Sequence, residues 1–172
     1  MTRRFFLKLL LALSTIPFFR LAWGGVATIE GVGSVSSIKK SAEAWQRLLS
    51  PEAYGVLFKE KTERSFSSPL NKEKRAGIYL CAACYNPLFS SDAKFDSGTG
   101  WPSFFRSMEG HTETKRDFFL ILPRTEYHCI RCSGHQGHLF DDGPPPTGQR
   151  WCNNGVALLF IPKGTAVPPL RT

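Results

Sequence analysis

No stretch of this chain stays apolar for the roughly 20 residues that a membrane-spanning helix requires. The longest run, Leu9–Phe19, covers eleven residues and is broken by Ser14, Thr15 and Pro17. Blocks of Lys and Arg interleaved with aromatics are missing, and with them the usual footprint of a nucleic-acid partner. No internal repeat or low-complexity run occurs beyond two Cys-x-x-Cys pairs. No helical pattern of about 10–15 residues separates the strand-like segments, so parallel βαβ units are not expected. Cysteine is scarce, with five in 172 residues. None lies near the end of the N-terminal apolar run, which excludes a lipoprotein anchor.

What is present is one domain's length of chain, rich enough in apolar and aromatic residues to bury a core. The net charge of +8 is uneven. Residues 1–24 carry Arg3, Arg4, Lys8 and Arg20 and no acid, while the remainder sets 18 basic residues against 14 acidic ones. A charged start followed by a short apolar run is the pattern of a signal peptide. Arg3-Arg4-Phe-Phe-Leu-Lys8 is similar to the twin-arginine export motif. Residues 1–24 are therefore expected to direct export to the periplasm or beyond, with Ala22-Trp23-Gly24 as the cleavage site. An uncleaved signal would be the protein's only membrane contact. Residues 25–40 read as a linker, 41–165 as the folded domain and 166–172 as a loose tail.

Within the domain, Trp45, Leu48 and Leu49 fall at helical spacing after Ser41. Ser50-Pro51 restarts a helix, with Tyr54, Leu57 and Phe58 on its apolar face. Strand patterns follow at Gly77–Cys81, Phe118–Leu122, Glu126–Ile130 and Val156–Ile161, most of them bounded by turn residues. The expected fold is antiparallel and mainly β, with one or two short N-terminal helices.

Four cysteines form two pairs, Cys81-x-x-Cys84 and Cys129-x-x-Cys132. Two thiolates two residues apart can chelate one ion from a tight turn, and two such turns supply a tetrahedral set of four sulfurs. The 44 residues between the pairs exceed the usual zinc-ribbon spacing but leave room for an intervening hairpin. One structural Zn²⁺ per chain is the expected occupant. Two disulfides, or redox-active pairs, are the alternatives, the former favoured by an oxidising compartment.

The fifth cysteine, Cys152, stands between Arg150 and the pair Asn153-Asn154. A lone buried cysteine is most often a small apolar filler, but a neighbouring guanidinium favours the thiolate. Upstream, His135 and His138 lie three apart in a glycine-spaced segment, placed for proton transfer. A second metal site completed by Asp141 or Asp142 is the alternative. The residues alone indicate a thiol enzyme assisted by histidine.

Four motifs in order carry a resemblance to the methionine-R-sulfoxide reductase family, B type. They are Gly77-Ile-Tyr-x-Cys81-x-x-Cys84-x-x-Pro-Leu-Phe-Ser-Ser, Lys94-Phe-Asp-Ser-Gly-x-Gly-Trp-Pro-Ser-Phe104, Cys129-x-x-Cys132-x-x-His135-x-Gly-His138-x-Phe-x-Asp-Gly-Pro144 and Thr147-Gly-x-Arg-x-Cys152-x-Asn154. The resemblance spans about residues 42–162 and implies a mainly β fold of two antiparallel sheets, with the catalytic cysteine on the central strand of one. It implies reduction of the R epimer of methionine sulfoxide, chiefly in oxidised proteins and peptides. It further implies Cys152 as nucleophile, and His135, His138 and Asn154 as the group that organises and supplies a proton. Trp101 is then the wall against the substrate methyl, Phe140 closes the pocket, and Arg150 holds the thiolate.

The chain departs from the family pattern at three places. Many members carry a resolving cysteine where Thr99 stands, so the expected route to regeneration is an external thiol donor, thioredoxin-like or other. Gln136 stands where Leu is common, and Gly155 where Ser is common. The competing expectation is a zinc-stabilised module that binds oxidised or apolar peptides without turnover. Either is expected to act as a monomer.

Overall fold

The computed structural model describes residues 35–117 and 123–172. The expected signal segment, the start of the linker and the strand expected at Phe118–Leu122 lie outside the described residues. Among the described residues two short helices come first, α1 (Ala42–Leu48) and α2 (Pro51–Lys59). Both are capped by serine, the second as Ser50-Pro51 predicts. The Ser41 hydroxyl accepts from Ala44 N at 3.3 Å, and the Ser50 hydroxyl from Ala53 N at 3.1 Å, with Pro51 in the first turn. The helices pack through Trp45 stacked on Phe58, and α2 buries Tyr54, Val56 and Leu57.

Among the described residues two antiparallel sheets follow. The smaller joins β1 (Gly77–Cys81), β2 (Pro87–Ser90) and β9 (Leu158–Pro162) in the order β2-β1-β9. The larger takes β3 (Lys94–Phe95), β4 (Ser103–Phe104), β5 (Thr112–Asp117), β6 (Arg124–Cys129), β7 (His135–Phe140) and β8 (Arg150–Asn153). Its order is β3-β4-β8-β7-β6-β5. The mainly β, two-sheet architecture matches expectation. Phe89 lies face to face with Phe104, ring centroids 4.1 Å apart, and Tyr127 meets Trp151 edge-on at 4.8 Å. Full burial of such a ring contributes about 1.5–3 kcal/mol, and each pair adds ~1 kcal/mol.

Register decides which residues share the other face of the large sheet. Lys115 opposes Glu126, Glu126 opposes His138, His138 opposes Cys152, and Cys152 opposes Ser103. Directly opposed residues point the same way, so one polar row crosses five strands. The alternate residues Tyr127, Trp151 and Phe104 then point into the core. β7 lies so close to β8 that a Cβ on Gly137 would fall 1.9 Å from the Cys152 carbonyl oxygen, which is why this position carries no side chain.

Two local features differ from expectation. The apolar run beginning at Val156 opens as a 3₁₀ turn, Gly155–Ala157, because the carboxylate of Glu63 captures the N–H groups of Gly155 and Val156 at 2.6 and 3.0 Å. Gly155 itself is crowded, since a Cβ there would meet the Ser68 hydroxyl at 1.9 Å. The expected loose tail is irregular but anchored. Arg171 donates from its main chain to the Cys84 carbonyl, and its guanidinium donates to the carbonyls of Ala82 and Ala83 and to the Tyr85 hydroxyl.

Candidate active site and metal centre

Cys152 sits near the end of β8, with His138 beside it on β7 and Ser103 on β4. A cavity of about 230 Å³ opens over this row, below the ~300–1,000 Å³ of sites that engulf drug-sized ligands. It suits one side chain. Of the residues singled out by sequence, Cys152, His138, Asn154, Trp101 and Phe140 line it; His135 and Arg150 do not. Trp101 follows Gly98 and Gly100, both at positive φ (72° and 92°), and its indole N–H donates to the Glu63 carbonyl at 3.1 Å. The ring is thus fixed as a wall by a residue far away in sequence.

Cys152 is partly buried. Burial pushes its thiol above the ordinary cysteine range; Arg150 and the Thr99 hydroxyl pull it back without cancelling that effect. Arg150 is held by two hydrogen bonds to Asp142, at 2.7 and 2.9 Å, and lies over the Phe140 ring at 4.2 Å. It therefore acts on Cys152 from behind the cavity wall. The side chain of Asn154 is engaged at both ends, accepting from Glu63 N and donating to the Gln136 carbonyl at 3.0 Å each. It braces the floor of the site and has no proton to give.

The two histidines reach the same face through a bulge. Tyr127 opposes Gly137 while His128 opposes His135, so Gln136 is an extra residue in β7. Strict alternation would have put His135 and His138 on opposite faces; the bulge brings their rings to 5.5 Å. Each is tied to a carboxylate. His135 Nδ1 lies 2.5 Å from Glu126 Oε1, and His138 Nε2 lies 3.0 Å from Asp117 Oδ2. A neutral imidazole bound this way keeps its proton on that nitrogen and leaves the other bare. Burial lowers the affinity of both rings for a second proton, more than Glu126 and Asp117 raise it. Both are neutral bases near pH 7. His135 is almost fully buried, and its Nε2 has no hydrogen-bond partner.

On the core side the four remaining cysteines converge. Their sulfurs lie within 4.8 Å of one another, with Cys81–Cys132 at 3.6 Å and Cys84–Cys129 at 3.5 Å. A disulfide would require about 2.05 Å, so neither pair is bridged. Tetrahedral thiolates at a Zn–S distance near 2.3 Å stand about 3.8 Å apart, which these separations approach. Two amides point at sulfur: Asn86 Nδ2 at Cys129 and Gln136 Nε2 at Cys81, 3.4 and 3.3 Å away. Four buried soft donors with amide support fit a structural metal ion with no open coordination position.

Sequence reasoning missed Glu63, Glu126 and Asp117. Glu126 is buried and accepts from His135, from His128 at 2.7 Å and from Lys115 at 3.0 Å. The signal for it was present: Arg124, Glu126 and His128 alternate with Thr125, Tyr127 and Cys129, a polar strand face that solvent alone does not explain. Asp141 and Asp142 do not join a histidine cluster, because Asp142 is taken by Arg150.

A two-sheet fold with a closed four-sulfur knot and one separate, accessible thiol backed by histidine defines a thiol enzyme built around a structural metal site. The SelR domain model matches residues 49–162, and the chain belongs to that family. Its relatives include the peptide methionine sulfoxide reductase MsrB of Bradyrhizobium diazoefficiens, 54% identical over 125 residues, which are 72% of this chain and 90% of that protein. The protein of the same name from Methanosarcina barkeri is 49% identical over 125 residues (72% and 88% of the two chains). That of Pseudomonas putida is 47% identical over 133 residues, covering 77% of this chain and all of the relative.

Proposed function

We propose that this protein reduces the R epimer of methionine sulfoxide, mainly in oxidised proteins and peptides, to methionine. The observation that carries the reading is the pairing of Cys152 with His138 on adjacent strands, under a cavity walled by Trp101 and Phe140. A sulfoxide offers an apolar methyl, a strong acceptor oxygen and a lone pair; fixing all three makes the site stereospecific. Trp101 and Phe140 suit the methyl, and His138 reaches the oxygen. Cys152 starts as a thiol, and its proton passes by way of the bare nitrogen of His138 to the sulfoxide oxygen as the sulfur attacks. The oxygen ends on Cys152 as a sulfenic acid. The substrate sulfur gains two electrons and the Cys152 sulfur loses two.

The other four cysteines are committed to the knot, and Thr99 offers only a hydroxyl. The sulfenic acid is therefore regenerated by an external dithiol, or by two monothiols, releasing water and a disulfide. The knot holds Zn²⁺, bound by Cys81, Cys84, Cys129 and Cys132. Zinc supplies cross-linking and no redox chemistry. Loading it before twin-arginine export of the folded monomer would protect these thiols in an oxidising compartment. Arg3-Arg4-Phe-Phe-Leu-Lys8 supports that route.

Separate assays with the R and S epimers of a blocked methionine sulfoxide, using dithiothreitol, test the reaction. Activity on R alone, lost in Cys152→Ser, is the expected result; activity on neither epimer from folded, metal-bound protein would refute it. An intramolecular disulfide to Cys152 after one turnover, seen by mass spectrometry, would refute the external-donor step. Cell fractionation of an Arg3→Lys/Arg4→Lys variant tests export.

A further inference from the structure

The bulge residue Gln136 takes no part in the chemistry above, yet it is fully buried and both ends of its amide are engaged. Nε2 donates to Cys81 Sγ at 3.3 Å, and Oε1 accepts from Asn153 Nδ2 at 3.5 Å. Its main-chain oxygen accepts from both the N–H and the side chain of Asn154, at 2.9 and 3.0 Å. Asn153 adjoins Cys152, is also fully buried, and is fixed at Oδ1 by the Tyr127 hydroxyl at 2.7 Å. One side chain thus touches a sulfur of the knot at one end and the strand of the nucleophile at the other. The second amide at the knot, Asn86, leads elsewhere: it is bound to the His111 carbonyl and ring.

We propose that Gln136 is a positioning residue that couples the metal centre to the catalytic strand. The coupling rests on the reading of the four-cysteine knot as a metal site. A metal-bound thiolate can only accept hydrogen bonds, so Cys81 holds the Gln136 amide with its N–H groups toward sulfur. The carbonyl oxygen must then face Asn153, which sets the end of β8 and the direction of Cys152. Without metal the four sulfurs are no longer held together, the Gln136 amide loses its fixed acceptor, and Asn153 loses the oxygen set against its Nδ2. Metal occupancy is felt at the nucleophile through this one side chain.

The test uses the full metal-loaded chain. Gln136→Leu keeps the main-chain bonds and nearly the same volume, while Asn153 Nδ2 retains the Asn154 carbonyl at 2.8 Å. Transfer of metal to a chromophoric chelator is expected to be about tenfold faster in Gln136→Leu, the lower end of losses seen when a hydrogen bond to a metal ligand is removed. Its kcat is expected to fall about threefold with KM little changed, because the nucleophile moves and the cavity wall does not. Equal release rates, or faster release with unchanged kcat, would overturn the coupling. Wild type that carries no metal would instead sink the metal reading beneath it. Should Gln136→Leu fail to fold, cadmium-substituted wild type gives the answer directly. Scalar coupling between ¹¹³Cd and the side-chain amide protons of Gln136 is expected, and its absence would overturn the proposal.

Discussion

The four knotted cysteines and Cys152 share one side chain and have opposite surroundings. In the knot, sulfur faces sulfur at 3.5–3.6 Å, two buried amides donate to it, and no approach is left open. Around Cys152 burial is partial, the nearest aids are a hydroxyl and a guanidinium, and one side is open to the cavity. Neither setting simply protects or exposes a thiol. The knot makes sulfur a structural element by closing it in with three other sulfurs. The cavity makes sulfur a reagent by giving it an incomplete set.

The sharpest way to break that contrast is to remove one knot ligand. Cys81→Ser is expected to lose the metal and the cooperative thermal transition together, since a closed four-sulfur site contributes folding energy outright; metal analysis and calorimetry measure both. Cys152→Ser should do the reverse. Turnover of the R epimer is expected to fall at least about 10³-fold, while stability in urea shifts by no more than about 0.5 kcal/mol.

A smaller effect sharpens the account of Cys152. Burial holds its thiol up and Arg150 draws it down, so removing Arg150 leaves it higher and the thiolate scarcer at neutral pH. Arg150→Ala is expected to react about tenfold more slowly with iodoacetamide at pH 7.5, with the thiolate absorbance midpoint moved up. Below that midpoint the thiolate fraction falls as the thiol's pKa rises. In wild type the midpoint should lie above the ~8.5 of a free cysteine.

The smallest effect is on the fold's response to acid. His135 and His138 bind a second proton less readily in the folded chain than in the unfolded one. Their contribution to stability is complete above the unfolded value of about 6.5 and is lost as pH falls toward their lower folded values. Denaturation midpoints should be level from pH 7 to 8 and decline below about 6.5. A Glu126→Gln variant, which removes the carboxylate facing His135, should steepen that decline.

Much of this was legible in the sequence because it is local. The Ser50 cap of α2, the strands at Gly77–Cys81 and in β6, and the two cysteine pairs each announce themselves within a few residues. Cys152 stood out by simple pairing of the others. What escaped notice depends on contacts that no short window holds. Glu63 reaches Gly155 across 92 positions and pins Trp101 through its carbonyl. The extra residue in β7 has no mark of its own in His-Gln-Gly-His; only its pairing with β6 reveals that the two histidines share a face. Arg171 reads as loose because nothing beside it in sequence explains it.

That last residue changes how the protein must be handled. Arg171 binds the carbonyls of Ala82, Ala83 and Cys84, and Arg131 donates to both the Cys84 and the Arg171 carbonyls, at 3.3 and 2.6 Å. Arg171 is a bolt across the first cysteine turn. Loss of that one side chain, a change too slight to see on a gel, would surface as leakage of metal.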